Sequence, residues 1–479
     1  MTRLPRQFLT RWLAACVMIG GCASQPEETP LEEPDVAPER QSSSELLLEL
    51  HPLKIRPIDR ESSAIDLTTA VRVAAAENFD VLQAREQVAA SEGLLESARG
   101  SIFPSLVPSI SYQDVQGAVR ATEGNLVGVG FNTFHTSIAV QWVLNPGKVK
   151  YDIIAASKHL AASEHRQRAV IDETLRKAAV QYYELVLSQA GVAAAQEAVS
   201  EAGELLRINQ ARSKTGTGIP ADVSRAEAHL ASRQQELSKA LNLFYDTSVS
   251  LSLTLNLDSS VTLVPQTTHL GAVDLVRTDL QLDELLELAV LSRPDLESVR
   301  TMAKAMAARA DATWWSGFGP LLGVVYQFGG IESDDGDQAY AFKDQQQFSA
   351  GAGMSWSLSS PGAIKAAKAF EREALIEAAR KLNDVRAEVV RFSEDSKMYR
   401  ELISLSHKQL AAAEQAHRLV QASFGTGTVT ILDLLQSQDG LARARLAYAE
   451  AVVHYNASQV NLLAALGLIN EDKLTMPAT

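Results

Sequence analysis

The side chains able to do acid–base, nucleophilic or metal chemistry are scattered along this 479-residue sequence. Its nine histidines include no His-Glu-x-x-His pair, and no Gly-x-x-x-x-Gly-Lys-Ser/Thr loop is present to cradle phosphates. No catalytic set and no metal site is read from the sequence, so an enzyme is not expected. His407 and His417 fall in one long helical stretch, where a solvated or seam position accounts for each. Two features remain. One is a pair of cysteines, Cys16 and Cys22, both within the first 25 residues. The other is a pair of glycine-rich turns, Thr215-Gly216-Thr217-Gly218-Ile219-Pro220-Ala221-Asp222 and Gly425-Thr426-Gly427-Thr428-Val429-Thr430-Ile431-Leu432-Asp433. Locally these are well-made helix ends: glycine stops the incoming helix, Pro220 fits the first turn of the outgoing one, and Thr430 with Asp433 resembles a capping pair.

The cysteines sit in an informative segment. Arg3, Arg6 and Arg11 form a basic start, Trp12 to Gly20 is a short apolar run, and Ile19-Gly20-Gly21-Cys22 places small residues before a thiol. This is the layout of a secretory signal, and it resembles a bacterial lipobox, in which the cysteine is acylated and becomes the first residue. A covalent lipid on Cys22 is the one prosthetic group expected; a plain signal peptide with a stray cysteine is the alternative. Removing residues 1–21 leaves 41 basic against 58 acidic residues, a net of −17. A surface so acidic is repelled by polyanions, so no nucleic acid partner is expected.

Residues 22–63 are rich in Pro, Glu and Ser and read as a tether. Beyond them no stretch reaches the ~18 apolar residues of a membrane helix, so any crossing must be made by strands. The chain is duplicated. Leu67, Asp80, Phe103, Pro146 and Gly147 recur 215 positions later as Leu282, Asp295, Phe318, Pro361 and Gly362, while Asp222 and Leu255 recur 211 positions later as Asp433 and Leu466. The repeats are assigned to 64–265 and 282–469, with a connector at 266–281 and a tail at 470–479. Each reads as a helix, two strands, a very long helix, a turn and a returning helix. Strands are predicted at 105–115, 134–144, 320–329 and 347–358, long helices at 148–212 and 363–424, and returning helices at 221–255 and 431–466. The strands alternate, with Leu106, Pro108, Ile110 and Tyr112 opposing Ser109, Ser111 and Gln113, as a membrane barrel requires; two hairpins of a soluble sandwich are the alternative. In lipid an open edge is forbidden, and four strands cannot close. Three chains give twelve strands, so a homotrimer follows if the strands enter the membrane. The long helices carry seven-residue seams, among them Leu382, Val389, Ser396, Ile403, Leu410, His417 and Phe424, which predicts coiled-coil packing. The fold class is therefore mainly α, with duplicated antiparallel coiled-coil helices and four strands contributed to a barrel.

Phe103-Pro104-Ser105-Leu106, Arg293-Pro294-Asp295-Leu296, Ala465-Leu466-Gly467 and Phe424-Gly425-x-Gly427-x-x-Thr430-x-x-Asp433-Leu434-Leu435, taken with this duplicated order, resemble the TolC outer-membrane factor family across about 65–469. The resemblance implies a trimeric twelve-stranded barrel in the outer membrane and a helical periplasmic tunnel closed at its inner end by the turns. It implies a duct that passively conducts substrate from an inner-membrane pump and a periplasmic adaptor. The lipid points to a pump of the RND type, with an ABC exporter as the alternative. By position, Asp433 falls at an acidic constriction, Asp222 at the matching place on the first turn, and Gln436 where some members carry a second acid. A ring of carboxylates at a narrow point attracts cations and obstructs anions. Gly216, Gly218, Pro220, Gly425, Gly427 and Thr430 would shape the turns that meet the adaptor. Val429 stands where some members have a basic residue that locks the closed state. The outer channel of type I protein secretion and a structural coiled-coil lipoprotein are the competing functions.

Overall fold

The computed structural model describes residues 62–120, 122, 124–216, 218–266, 271–277, 280–334, 343–354, 356–426 and 428–475, with Val115, Val119, Val129, Phe131 and Thr475 as backbone only. Cys22, the proposed tether up to residue 61, and Gly427 lie outside the described residues. The first half comprises β1 Ser62–Ile65, α1 Leu67–Glu77, α2 Phe79–Gly100, β2 Ser105–Arg120, β3 Leu126–Leu144, α3 Pro146–Lys214, α4 Pro220–Thr254 and β4 Thr262–Pro265. The second comprises α5 Leu282–Ser292, α6 Pro294–Phe318, β5 Leu321–Asp334, β6 Lys343–Gly353, α7 Ser360–Gly425, α8 Ile431–Ala465 and α9 Glu471–Thr475.

Where one leading helix per repeat is expected, two are found. Arg293 precedes a proline and is held extended, so the helix breaks there and restarts on Pro294. The first repeat has Phe79 where that proline would stand, and Asn78, the counterpart of Arg293, secures the break. Its side chain accepts from the Asp80 N–H at 2.9 Å and donates to the Thr254 carbonyl at 2.8 Å, which satisfies both sides of the break. Asp66 caps α1 by accepting from the Thr69 N–H.

The long helices exist because nothing in them stops a helix. Asn145 caps the Lys148 N–H at 3.0 Å, Pro146 occupies the first turn, and the helix runs 69 residues, Pro146 included, before Thr215. At ~1.5 Å per residue, α3 runs ~100 Å and α7, with 66 residues, nearly as far. Helix α3 pairs with α4 and α7 with α8, while α6 packs against both α3 and α7. The seam on α7 is occupied from Val385 and Val389 through Ser396 and Ser406 to His417 and Phe424, all buried. Above that point Leu375 is exposed, because α8 ends at Ala465, whose carbonyl lies 3.5 Å from the Arg293 guanidinium that also binds Glu388. Helix α7 continues past the end of its partner. The core sits where α5 and the end of α8 meet the middle stretches of α3 and α7, around Leu175, Ala179, Leu285, Val385, Val389, Val460 and Leu466. Gly467, at φ +66°, ends α8 in the left-handed conformation, and its backbone presses on Ser292 and Arg293 too closely for any Cβ.

The four long strands form one antiparallel sheet in the order β2-β3-β5-β6. Its register stacks the even-numbered residues on one face: Leu106 opposite Val140, Val140 opposite Tyr326 and Tyr326 opposite Phe348, and next to them Pro108 opposite Ile138 and Ile138 opposite Phe328. The other face carries Ser109 opposite Ser137, Ser111 opposite His135, and Gln327 opposite Gln347. Strands β2, β3 and β5 run beyond the predicted ends because the backbone ladder continues past the apolar segment into Gln113–Arg120 and its mates. The fourth strand departs from expectation in the other direction. It starts at Lys343 and stops at Gly353, leaving Met354, Trp356 and Leu358 outside the sheet. Gly353 lies opposite Leu321, the first residue of β5, so β5 has no backbone left to pair with the residues beyond Gly353.

Candidate functional site

Two places combine unusual composition with defined geometry: the sheet face and the paired turns. On the sheet, Leu106 is 67% exposed, Ile110 76%, Tyr112 64% and Phe348 68%. Paired residues in an antiparallel sheet point to the same side, so these side chains form one continuous apolar surface. From Leu144 to Phe134 is ten residues, or ~33 Å along a strand; inclined at ~40° this gives a band ~25 Å tall, the height of the apolar belt of an outer-membrane barrel. At the rim nearer the helices the Trp142 indole N–H donates to the Ile102 carbonyl at 2.7 Å, an amphipathic ring at an interfacial level. The opposite face is held by hydroxyl and amide contacts, Ser109 to Ser137 at 2.7 Å and Gln327 donating to Ser137 at 2.9 Å.

At the far end of the long helices the two turns sit side by side. In the first, Gly216 adopts φ +75°, the Gly218 N–H donates to the Arg212 carbonyl at 3.0 Å, and Pro220 opens α4. A Cβ on Gly218 would fall 2.9 Å from the Ser213 nitrogen, so only glycine fits. Asp222 accepts from Arg225 at 2.9 Å, one turn along α4. In the second turn the Thr426 and Thr428 hydroxyls donate to the Ser423 carbonyl at 2.9 and 3.0 Å, which ends α7 just past Gly425. Thr430 caps α8, and Asp433 answers by accepting from the Thr430 N–H at 2.9 Å and its hydroxyl at 2.6 Å. The hydroxyl contact, then the backbone one, hold the Asp433 carboxyl below the usual carboxylate range. Gln436 is exposed one turn beyond Asp433, on the same side of the helix.

Sequence reasoning missed what joins these turns. Leu205, Ala226, Phe424, Ile431 and Leu434 close into one apolar cluster that belongs to both halves. The Arg212 guanidinium lies 4.6 Å from the Phe424 ring centroid and donates to the Phe424 carbonyl at 3.5 Å. Further up, Arg445 binds Glu197 at 2.8 Å and Arg233 binds Asp439, tying α8 to α3 and α4. Phe424 was legible as the last member of the heptad row, but the side chain facing it from 212 residues away was not. His417, buried, meets the Ser437 hydroxyl at 3.1 Å and is a seam residue, whereas His407 is exposed with its ring edge-on to Tyr448. Among the described residues no cluster of His, Cys, Asp or Glu is arranged to hold a metal, and no helix is long and apolar enough to cross a membrane.

A family model described as outer membrane efflux protein matches residues 70–257 and 285–468, one match on each half of the duplication. Among solved structures, the Campylobacter jejuni CmeC outer membrane channel superposes with a TM-score of 0.73 at 18% identity, covering 84% of this chain and 85% of that one. The outer membrane protein VceC from Vibrio cholerae gives 0.69 at 18% identity, with 84% and 96% covered. The open state of the Neisseria gonorrhoeae MtrE outer membrane channel gives 0.68 at 18% identity, with 84% and 89% covered. At such identities the agreement is one of fold. No curated protein matches closely enough to add to it.

Proposed function

The chain belongs to the outer membrane efflux protein family, and on that footing we propose that three copies pool their strands into one closed barrel that continues as a helical tunnel. It lies in the outer membrane with its helices extending into the periplasm, as the exit duct of a tripartite efflux system. In the proposed mechanism the chain catalyses no reaction; energy comes from an inner-membrane pump of the RND type, coupled through a periplasmic adaptor at the 212–222 and 424–433 turns. Gly216, Gly218, Pro220, Gly425, Gly427 and Thr430 shape those turns, and Asp433 and Asp222, with Gln436 one turn on, line the narrow end. Substrate passes once the turns of the three copies splay apart. A signal peptide of residues 1–21 is removed, and a lipid on Cys22 fastens the chain to the inner leaflet of the outer membrane.

The observation that supports this most directly is the sheet: four strands share one apolar face and leave two edges, β2 and β6, with no mate among the described residues. In hydrocarbon each unpaired backbone group costs several kcal/mol, so such an edge demands closure. Purified in mild detergent, the full chain should have the mass of three copies and should give discrete conductance steps in planar bilayers. A monomeric mass, or a trimer that never conducts, would overturn the reading.

A further inference from the structure

Beyond the lipid belt the two faces of the sheet exchange their polarity. Every residue of β2 from Ser105 to Arg120 pairs with one residue of β3, from Gln141 to Leu126, without a bulge. A slipped or inserted residue would carry the following positions to the opposite face. None is present, so even- and odd-numbered positions keep their faces along the whole ribbon. Within the belt the even-numbered face is apolar, up to Tyr112 opposite Phe134, and the odd-numbered face carries Ser109, Ser111 and Ser137. At the next row the even-numbered face becomes polar. Asp114 stands opposite Asn132, and the Gln116 amide donates to the Asp114 carboxylate at 3.3 Å, two residues along the same side. One row on, the odd-numbered face becomes apolar, with Val115 opposite Phe131, Gly117 opposite Val129 and Val119 opposite Val127. Leu126, at the turn, is the one large apolar residue on the even-numbered face of this extension.

The exchange sits where the sheet would leave the membrane. Leu126 lies eight residues past Phe134, ~26 Å along the strand and ~20 Å beyond the belt at the same ~40° incline. Among the described residues β5 ends at Asp334, opposite Asn132, and β6 begins at Lys343, opposite Ile331. Above those rows β2 and β3 continue as a two-stranded ribbon in water. Its polar face belongs outward, where lipid has given way to solvent. The apolar face has only the bore to turn to, and leaning the ribbon towards the axis removes that face from water.

We propose that the odd-numbered face of this extension forms an apolar collar at the outer mouth of the bore, and that the cargo passing it is an organic solute with apolar surface. The inference rests on the duct reading above and names the class of its substrate. A small hydrated ion crossing an apolar ring must shed water with no polar group to replace it, and a ring that dewets obstructs such ions. An amphiphile gains apolar contact at the same place. The hydroxyl and amide face below the collar keeps its water and favours neither.

The test is the fourfold variant Val115→Thr, Val119→Thr, Val127→Thr and Val129→Thr in the full chain, since threonine keeps valine's branching and strand preference and adds a hydroxyl. In planar bilayers its potassium chloride conductance should rise on the order of threefold, and the permeability of tetraphenylphosphonium relative to potassium should fall by about as much. A control on the outer face, Gln116→Thr with Asn132→Thr, should change neither. If the fourfold variant does not assemble, single cysteines decide the matter. In intact cells a bulky polyethylene-glycol maleimide should label Gln116→Cys and spare Val119→Cys. Equal labelling, or a fourfold variant with the parent's conductance and permeability ratio, would overturn the collar and leave the duct standing; an unaltered chain that never conducts would remove both.

Discussion

Asp433 caps a helix and, in the proposed mechanism, also lines the constriction; a single substitution can separate the two roles. Because Thr430 holds its carboxyl below the usual range, whatever stability the contact gives is present above the unfolded-state value of ~3.9 and is lost as pH falls through the folded value. The group therefore stays charged at neutral pH. Asp433→Asn keeps an acceptor for Thr430 and removes the charge, so in bilayers it should lose cation preference while the tip stays folded. Conductance and selectivity equal to the parent would leave the residue a helix cap only. Asp172 behaves oppositely. Burial first, and the neighbouring Asp295 second, raise it to about 7 against the pull of Arg293. The unfolded chain releases this proton near ~4 and the folded chain holds it until about 7, so stability falls as pH rises across that window. Asp172→Asn should raise the melting temperature at pH 8 by on the order of a few degrees and change it little at pH 4. A gain that is equal at both would contradict the burial argument.

At the scale of elements, the sequence was most readable where one physical rule acts alone. Strand alternation, an uninterrupted helical run and the offset between repeats each follow from local spacing; the four strands and two long helices are present, with β2 and β3 running past their expected ends. The break made at Asn78 without a proline was harder to see, because an amide that caps one helix and reaches the end of another needs both ends in place. The apolar cluster at the tips was invisible for the same reason: Leu205 and Ala226 meet across one local turn, but Phe424 joins them only after a second helix of ~100 Å has run to the same end. That cluster makes a prediction for the whole tip. Phe424 is 8% exposed, and Phe424→Ala should cost about 3 kcal/mol locally, roughly a hundredfold faster amide exchange across residues 420–434, with exchange in the sheet unaltered. Uniformly faster exchange would mean that the tip and the body open as one unit.

At the scale of the whole molecule, attachment is proposed to be double, one lipid at the start of the mature chain and one barrel in the bilayer. A single acyl chain binds membranes only marginally, whereas a closed barrel does not leave. Cys22→Ser should therefore abolish labelling by radioactive palmitate yet leave the protein in the outer-membrane fraction; palmitate retained on the variant would place the lipid elsewhere. The two unmated edges bear on how such a particle is made. Before it meets its fellows, a newly exported chain presents Trp356, Leu358 and the whole outer rim of β2 as a ready template for any passing strand. Assembly of the proposed trimer is thus a race between three-body encounter and misadhesion. The rate of synthesis, and any escort that shields those rims in transit, becomes as decisive for yield as the stability of the finished ring.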